Sequence, residues 1–289
     1  MLINIKSTRD LNYNYFQLNT KWCDINFCEV GNGPVILIWP SVFCDSNSNI
    51  FLVESLKDKF KFIMVDPPGF GSDLVAKSFT MEDCAEIINQ ILIFREIKMP
   101  ITLIGTSWGG FVVSFFAYKY PFKVNKLVLT NTYFYTPDKK NTLLFQFKNA
   151  VSYLLLKYMK KEFIIKSITK DFFSSHILTN NYSQQLYQLW KSRMNIFNKN
   201  EIASATFNIL KNIESVHSKI QKLNFKILII GGALDKNYDF KKNKTLLNNY
   251  YKQNHLNINF DLVILEHSKH NSFIDSPEET LSEISNFII

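Results

Sequence analysis

Two rhythms of apolar and polar positions run along this chain. Leu11–Leu18 and Trp22–Glu29 read as strands joined by the polar turn Asn19-Thr20-Lys21, an antiparallel pair at a sheet edge. After the turn Gly31-Asn32-Gly33-Pro34, the run Val35–Trp39 is apolar without alternation, as a strand covered on both faces should be. Phe60–Val65, Ile101–Ile104, Val124–Thr130, Phe225–Ile230 and Phe260–Leu265 read as further strands. Helical stretches fall between them: Ile50–Lys59, a helix capped by Thr80 with Glu82 and Asp83 in its first turn and running to about Arg95, and an apolar helix from Trp108 that stops before Pro121. Strands alternating with helices at this spacing predict an α/β fold with a mostly parallel, doubly wound sheet.

One long stretch breaks that alternation. From Asn131 to about Leu223 the pattern is helical, rich in Phe, Tyr, Leu and Lys, and contains no glycine. It predicts an all-helical lid inserted into the sheet domain, so that 1–132 and 224–289 form the core and 133–223 the insertion. The last helix is announced by Ser276-Pro277-Glu278-Glu279, with serine as N-cap and proline at the first helical position.

Composition narrows the function. The 289 residues are 46% hydrophobic and 20% charged, enough for one large domain or one domain carrying an insertion. The formal charge is +8, but only Arg9, Arg95 and Arg193 are arginines, and scattered lysines describe a solvated surface rather than a nucleic-acid site. Lys157, Lys160, Lys161 and Lys166 form a cluster suited to an acidic surface or lipid headgroups, and read first as the wet face of a helix. Cys23, Cys28, Cys44 and Cys84 lack CxxC spacing, and MLINIKSTRD lacks the charged and apolar regions of a secretory signal. Reduced thiols and a cytoplasmic location are the expectation. Ile101–Tyr118 is interrupted by glycines, Thr102, Thr106 and Ser107, which favours buried core over a membrane span. Neither HExxH nor paired Cys/His spacing marks a metal, and Gly69-Phe70-Gly71 lacks the third glycine of a dinucleotide loop, so no cofactor is expected.

The candidate chemistry lies at Gly105-Thr106-Ser107-Trp108-Gly109, a Gly-x-Ser-x-Gly between a strand and a helix. A serine at the tip of so sharp a turn leaves no room for a Cβ two residues to either side. The turn lifts the hydroxyl clear, and the helix aims its first N–H groups at the reacting centre. Such a hydroxyl needs a base, itself oriented by a buried acid. Asp235 follows the Phe225–Ile230 strand, and His267 and His270 follow Phe260–Leu265, giving the chain order Ser, Asp, His. Asp239 reads as a helix-start residue and Asp275 as a neighbour of the last helix's cap; His176, His217 and His255 lie in the insertion or in surface-like polar context.

With these residues in view, the chain resembles the cap-bearing α/β-hydrolases, the large group of esterases, lactonases, proline iminopeptidases and carbon–carbon bond hydrolases. The likeness runs from about Gly31 to the C-terminus and is weakest in the lid. Asp66-x-Pro-Gly-Phe-Gly-Ser72 resembles the loop after the fourth strand, Gly232-Ala-Leu-Asp235 the acid loop, and His270, seven residues before Pro277, the histidine segment. The resemblance implies a triad of Ser107, Asp235 and His270, with His267 as a loop neighbour. Some relatives carry the acid at the position of Asn131-Thr132, which has no carboxylate here. Relatives usually show His-Gly where this chain has Trp39-Pro40. Proline has no N–H, so the oxyanion donors implied are the N–H groups of Ser41, with Val42 in reserve, and of Trp108.

The aromatic content of the insertion (Phe134, Tyr135, Phe145, Phe147, Tyr153, Trp190 and Phe197) implies an apolar pocket above Ser107 for a hydrophobic or cyclic ester, with Trp39, Phe43, Phe134, Tyr135 and Trp190 as the expected lining. The leading reading is a serine hydrolase of a small-molecule carboxylic ester or lactone, a monomer or homodimer binding no nucleic acid. The alternatives are a carbon–carbon bond hydrolase, an iminopeptidase-like enzyme that holds a substrate amine with Glu162, Asp171 or Glu201, and a low-turnover receptor.

Overall fold

In the computed structural model, which describes residues 6–74, 78–132, 143–212, 223, 225–236, 238–242, 244–245 and 260–289, the apolar runs pair into one sheet. Its order is β1 (Asn14–Asn19), β2 (Cys23–Val30), β4 (Lys61–Asp66), β3 (Val35–Trp39), β6 (Ile101–Thr106), β7 (Val124–Thr130), β8 (Ile227–Gly232) and β9 (Phe260–Leu265). The two-residue β5 (Asp73–Leu74) pairs with β2. Every pairing from β4 across to β9 is parallel; those of β1, β4 and β5 with β2 are antiparallel. The unbroken apolar runs are the covered strands, and all six residues of β6 are buried. The antiparallel pair does lie at the edge, with β1 outermost. Cys23 and Cys28 point to opposite faces of β2 and are both buried, and all four cysteines are free.

Helix positions follow their caps. The Thr80 hydroxyl accepts the Asp83 N–H and the Asp83 carboxylate accepts the Thr80 N–H, starting α2 at Met81 and carrying it to Phe94. α2 packs against α3 (Trp108–Lys119), whose apolar sequence is accounted for by burial on nearly all sides. α1 (Ile50–Leu56) packs against α9 (Pro277–Ile288), which ends the chain. Ser276 does precede α9, but its hydroxyl is buried without a hydrogen-bond partner and caps nothing. The reason is a short helix that the sequence did not announce, α8 (Ser272–Asp275), which runs directly into Ser276.

Between β7 and β8 stand α4 (Leu143–Tyr158), α5 (Lys161–Phe172), a 3-10 turn at Ser175–Leu178, α6 (Asn181–Ile196) and α7 (Lys199–Asn212). The expected seams at 133 and 224 lie outside the described residues. Among the described residues, no helix is long and apolar enough to cross a membrane.

Candidate active site

Ser107 sits between β6 and α3 with φ 51° and ψ −115°, a left-handed conformation that costs a non-glycine residue about 1–3 kcal/mol. Its surroundings hold it there. The Ser107 N–H donates to the carbonyl of Thr130 at 2.8 Å, and the Thr132 hydroxyl donates to the Ser107 carbonyl at 3.2 Å. The flanking glycines are needed for a reason more specific than crowding around serine. A Cβ on Gly109 would overlap the carbonyl oxygens of Trp39 and Pro40, and one on Gly105 would stand 2.5 Å from the carbonyl of Gly109. The end of β3 is thereby seated against the start of α3.

Two loops from the far side of the sheet reach this turn. The Ser107 Oγ lies 2.8 Å from His270 Nε2, and His270 Nδ1 lies 2.7 Å from Asp235 Oδ2. The Asp235 carboxylate is fully buried and the His270 ring nearly so. Gly232 lets these loops meet, since a Cβ there would overlap the carbonyls of Ser268 and Lys269. The Leu234 N–H also donates to the Ser268 carbonyl at 2.9 Å. Of the rivals, His267 is exposed and stacks on His176 at 5.6 Å between ring centroids, while His217 and His255 lie outside the described residues. Asp239 accepts the Lys242 N–H, as a helix-start residue does.

Two residues to which the sequence assigned no part in the site fix the histidine loop. Asn131, also left-handed at φ 50°, donates from Nδ2 to the Lys269 carbonyl at 2.8 Å. Its Oδ1 accepts the Ser272 N–H and hydroxyl. Thus the position at the end of β7 holds the loop through an amide instead of a carboxylate. The second residue is Asp275, whose carboxylate accepts the N–H groups of Lys269 at 2.7 Å and Ser174 at 2.9 Å. Burial pushes its pKa up to about 7 despite these hydrogen bonds.

On the opposite wall, Phe43 and Val42 line the cavity with Ser107, Trp108 and His270, while Ser41 is buried with its hydroxyl unpartnered. Trp39 does not line the cavity. It is fully buried and meets Trp108 edge-on at 5.9 Å, part of the packing between β3 and α3. Trp190 is also absent from the cavity lining. Its ring is buried, and its Nε1–H donates to the Phe43 carbonyl at 2.9 Å. One turn further along α6, Arg193 pairs with buried Asp45. Nearby Asp66 has its pKa pushed up to about 7, by burial first and by Asp45 second. Helix α6 therefore braces the Pro40–Asp45 loop from behind.

Above Ser107 lies a cavity of about 580 Å³. Its walls are mainly aliphatic: Leu155, Leu156, Met159, Ile164, Ile168, Ile209 and Leu210, with Phe111 and Phe172. The polar lining comes from Ser152, Ser167, Thr206 and Asp171. Of the expected aromatic lining, Phe43 is present and Phe134 and Tyr135 lie outside the described residues. No group of three or more His, Cys, Asp or Glu among the described residues is placed to hold a metal.

A hydroxyl on a strand–helix turn, hydrogen-bonded to an imidazole that is hydrogen-bonded to a buried carboxylate, is the geometry that nucleophilic catalysis by serine requires. The family model described as the alpha/beta hydrolase fold matches residues 34–277, and the chain belongs to that family. It is 26% identical to a pimeloyl-[acyl-carrier protein] methyl ester esterase of Wigglesworthia glossinidia brevipalpis, over 86% of this chain and 91% of that one. A shorter match, 32% identical, joins 31% of this chain to 30% of a cis-3-alkyl-4-alkyloxetan-2-one decarboxylase of Shewanella oneidensis. Among solved structures, a thermophilic esterase from Thermogutta terrifontis superposes with a TM-score of 0.81 at 18% identity, covering 95% of this chain and 98% of that one.

Proposed function

We propose that this α/β-hydrolase cleaves a hydrophobic carboxylic ester or lactone through an acyl-enzyme on Ser107. The observation that carries the reading is the continuous path from Ser107 Oγ through both nitrogens of His270 to Asp235. His270 Nε2 takes the hydroxyl proton as Oγ attacks the carbonyl carbon. Asp235 holds Nδ1–H and so fixes the tautomer that leaves Nε2 free to accept. The N–H of Trp108, in the first turn of α3 where helix N–H groups have no intrahelical partner, receives the oxyanion together with that of Ser41, or of Val42. The imidazolium then protonates the leaving alkoxide. Water, deprotonated by the same nitrogen, releases the acid and restores Ser107.

The aliphatic cavity favours an apolar acyl or alcohol part, with helices α4, α5 and α7 as its lid. The relative that matches over most of both chains is a methyl ester esterase, which adds esters of small alcohols to the candidates. Asp171 on the cavity wall supports a second reading, in which a carboxylate holds a substrate amine as in an iminopeptidase. The test is a panel of esters, lactones, thioesters and proline amides, assayed with the wild type and with Ser107→Ala. Ester or lactone turnover that vanishes in Ser107→Ala is expected; turnover retained in the variant refutes the nucleophile, and preference for proline amides selects the second reading.

A further inference from the structure

The outward face of α4 is apolar where a surface helix is ordinarily polar. Phe147, Val151, Leu154, Leu155 and Tyr158 recur at i, i+4, i+7, i+8 and i+11, which places them on one stripe. Phe147 is 67% exposed, Leu154 50%, Leu155 49% and Tyr158 71%. The opposite side is the buried one: Asn149 is covered, and Tyr153 meets Phe207 of α7 at 5.5 Å. The helix therefore turns an amide inward and leucines outward. Contiguous exposed apolar surface of this kind marks a contact site.

Charge identifies what would cover it. Lys148 borders one edge of the stripe, seven residues before Leu155, and Lys157 borders the other, three residues after Leu154. From Leu143 to Lys161 the described chain carries four lysines and neither aspartate nor glutamate. A second copy of a chain with net charge +8 would bring lysines against lysines. A stripe of large apolar side chains edged by lysines matches a helix lying in the headgroup region of an anionic bilayer, where each basic residue adds about 1 kcal/mol. The stripe also continues inward. Leu155 and Met159 line both the outer groove, with Val151, Leu154 and Tyr158, and the cavity above Ser107.

We propose that α4 docks this protein on anionic membrane surfaces and admits an apolar substrate from the bilayer past Leu155 and Met159 to Ser107. The docking stands independently of the chemistry; the delivery rests on the function proposed above. The experiment is co-sedimentation of the full chain with phosphatidylcholine vesicles, with and without phosphatidylglycerol, comparing wild type, Ser107→Ala, Phe147→Glu/Leu154→Glu and Lys148→Glu/Lys157→Glu. Wild type and Ser107→Ala should bind the anionic vesicles equally, and each double variant should lose about tenfold or more in partitioning. Both double variants should hydrolyse soluble p-nitrophenyl acetate at the wild-type rate, which shows that they are folded. Failure of wild type to sediment with anionic vesicles overturns the proposal, as does full binding by Phe147→Glu/Leu154→Glu. Binding to poly-glutamate but not to vesicles would assign the face to an acidic protein and overturn it equally. Vesicle binding by a wild type that cleaves no ester would leave the docking intact and refute the chemistry.

Discussion

The main-chain N–H of His270 donates to the carbonyl oxygen of Phe172, the last residue of α5, at 3.1 Å. The Phe172 ring meets the imidazole at 4.8 Å between centroids, and the Lys269 ammonium donates to the Lys170 carbonyl. Asp275 closes the same seam by holding the N–H groups of Lys269 and Ser174 together. The proposed base is therefore held from the inserted helices as much as from the sheet.

Asp275 makes that seam sensitive to pH. Its pKa is raised by burial from 3.8 to about 7, so the folded chain holds this proton more tightly than the unfolded chain does. Its contribution to stability is complete below the unfolded value and is lost as pH rises through the folded one. The stability of wild type relative to Asp275→Asn should accordingly shrink between about pH 5 and about pH 8, measured by urea denaturation. A difference that grows over that interval would contradict the assignment.

Trp190 provides a sharp contrast between lining a pocket and bracing a loop. Trp190→Phe keeps an aromatic side chain but removes the indole N–H and leaves the Phe43 carbonyl without its donor, at a cost of about 1–3 kcal/mol. Phe43, held at φ 62°, lines the cavity and shares its loop with the proposed oxyanion donors, so the expected result is a lowered kcat with a smaller rise in KM. A rise in KM alone would return Trp190 to the substrate.

Arg193→Met should be more damaging than loss of a surface charge, because it strands the Asp45 carboxylate in the interior at about 3–5 kcal/mol. Asp45→Asn in the same chain should recover much of that loss. Thermal melts of the two single variants and the double variant test this, and strict additivity would show that the pair is uncoupled.

The glycines of the turn are constrained by the neighbouring strand. Gly109→Ala drives a methyl group into the Trp39 and Pro40 carbonyls, so the variant should lose soluble expression or melt well below wild type. Wild-type melting would mean that β3 and α3 are not seated as described.

His270→Ala should lose far more esterase activity than His267→Ala, whose ring lies in an exposed stack with His176. The reverse ranking in a p-nitrophenyl butyrate assay would transfer the role of base to His267.

Much of this was legible in the chain. The run VILIW coincides with β3 because a strand covered on both faces has no polar position to blur its ends, and VNKLVLT coincides with β7 because its buried end, Leu127–Thr130, runs unbroken after the exposed Asn125 and half-buried Lys126. The Ser, Asp and His candidates were readable because each follows a strand at the same edge of the sheet, where a parallel fold gathers loops. Trp39 and Trp190 were misplaced because a large apolar side chain looks the same whether it lines a cavity or fills a core. Asn131 and Asp275 act through main-chain partners in loops 138 and 101 residues away, and periodicity carries no trace of such contacts.

Bracing from α6 on one wall and α5 on the other has a practical outcome for protein engineering. Exchanging the segment between β7 and β8 for that of a relative would remove the Trp190 and Arg193 props of one loop and the Phe172 and Ser174 tethers of the other. Specificity in this chain is not a transferable cassette: any graft that leaves out those four attachments should yield a sheet with its serine in place and no working site around it.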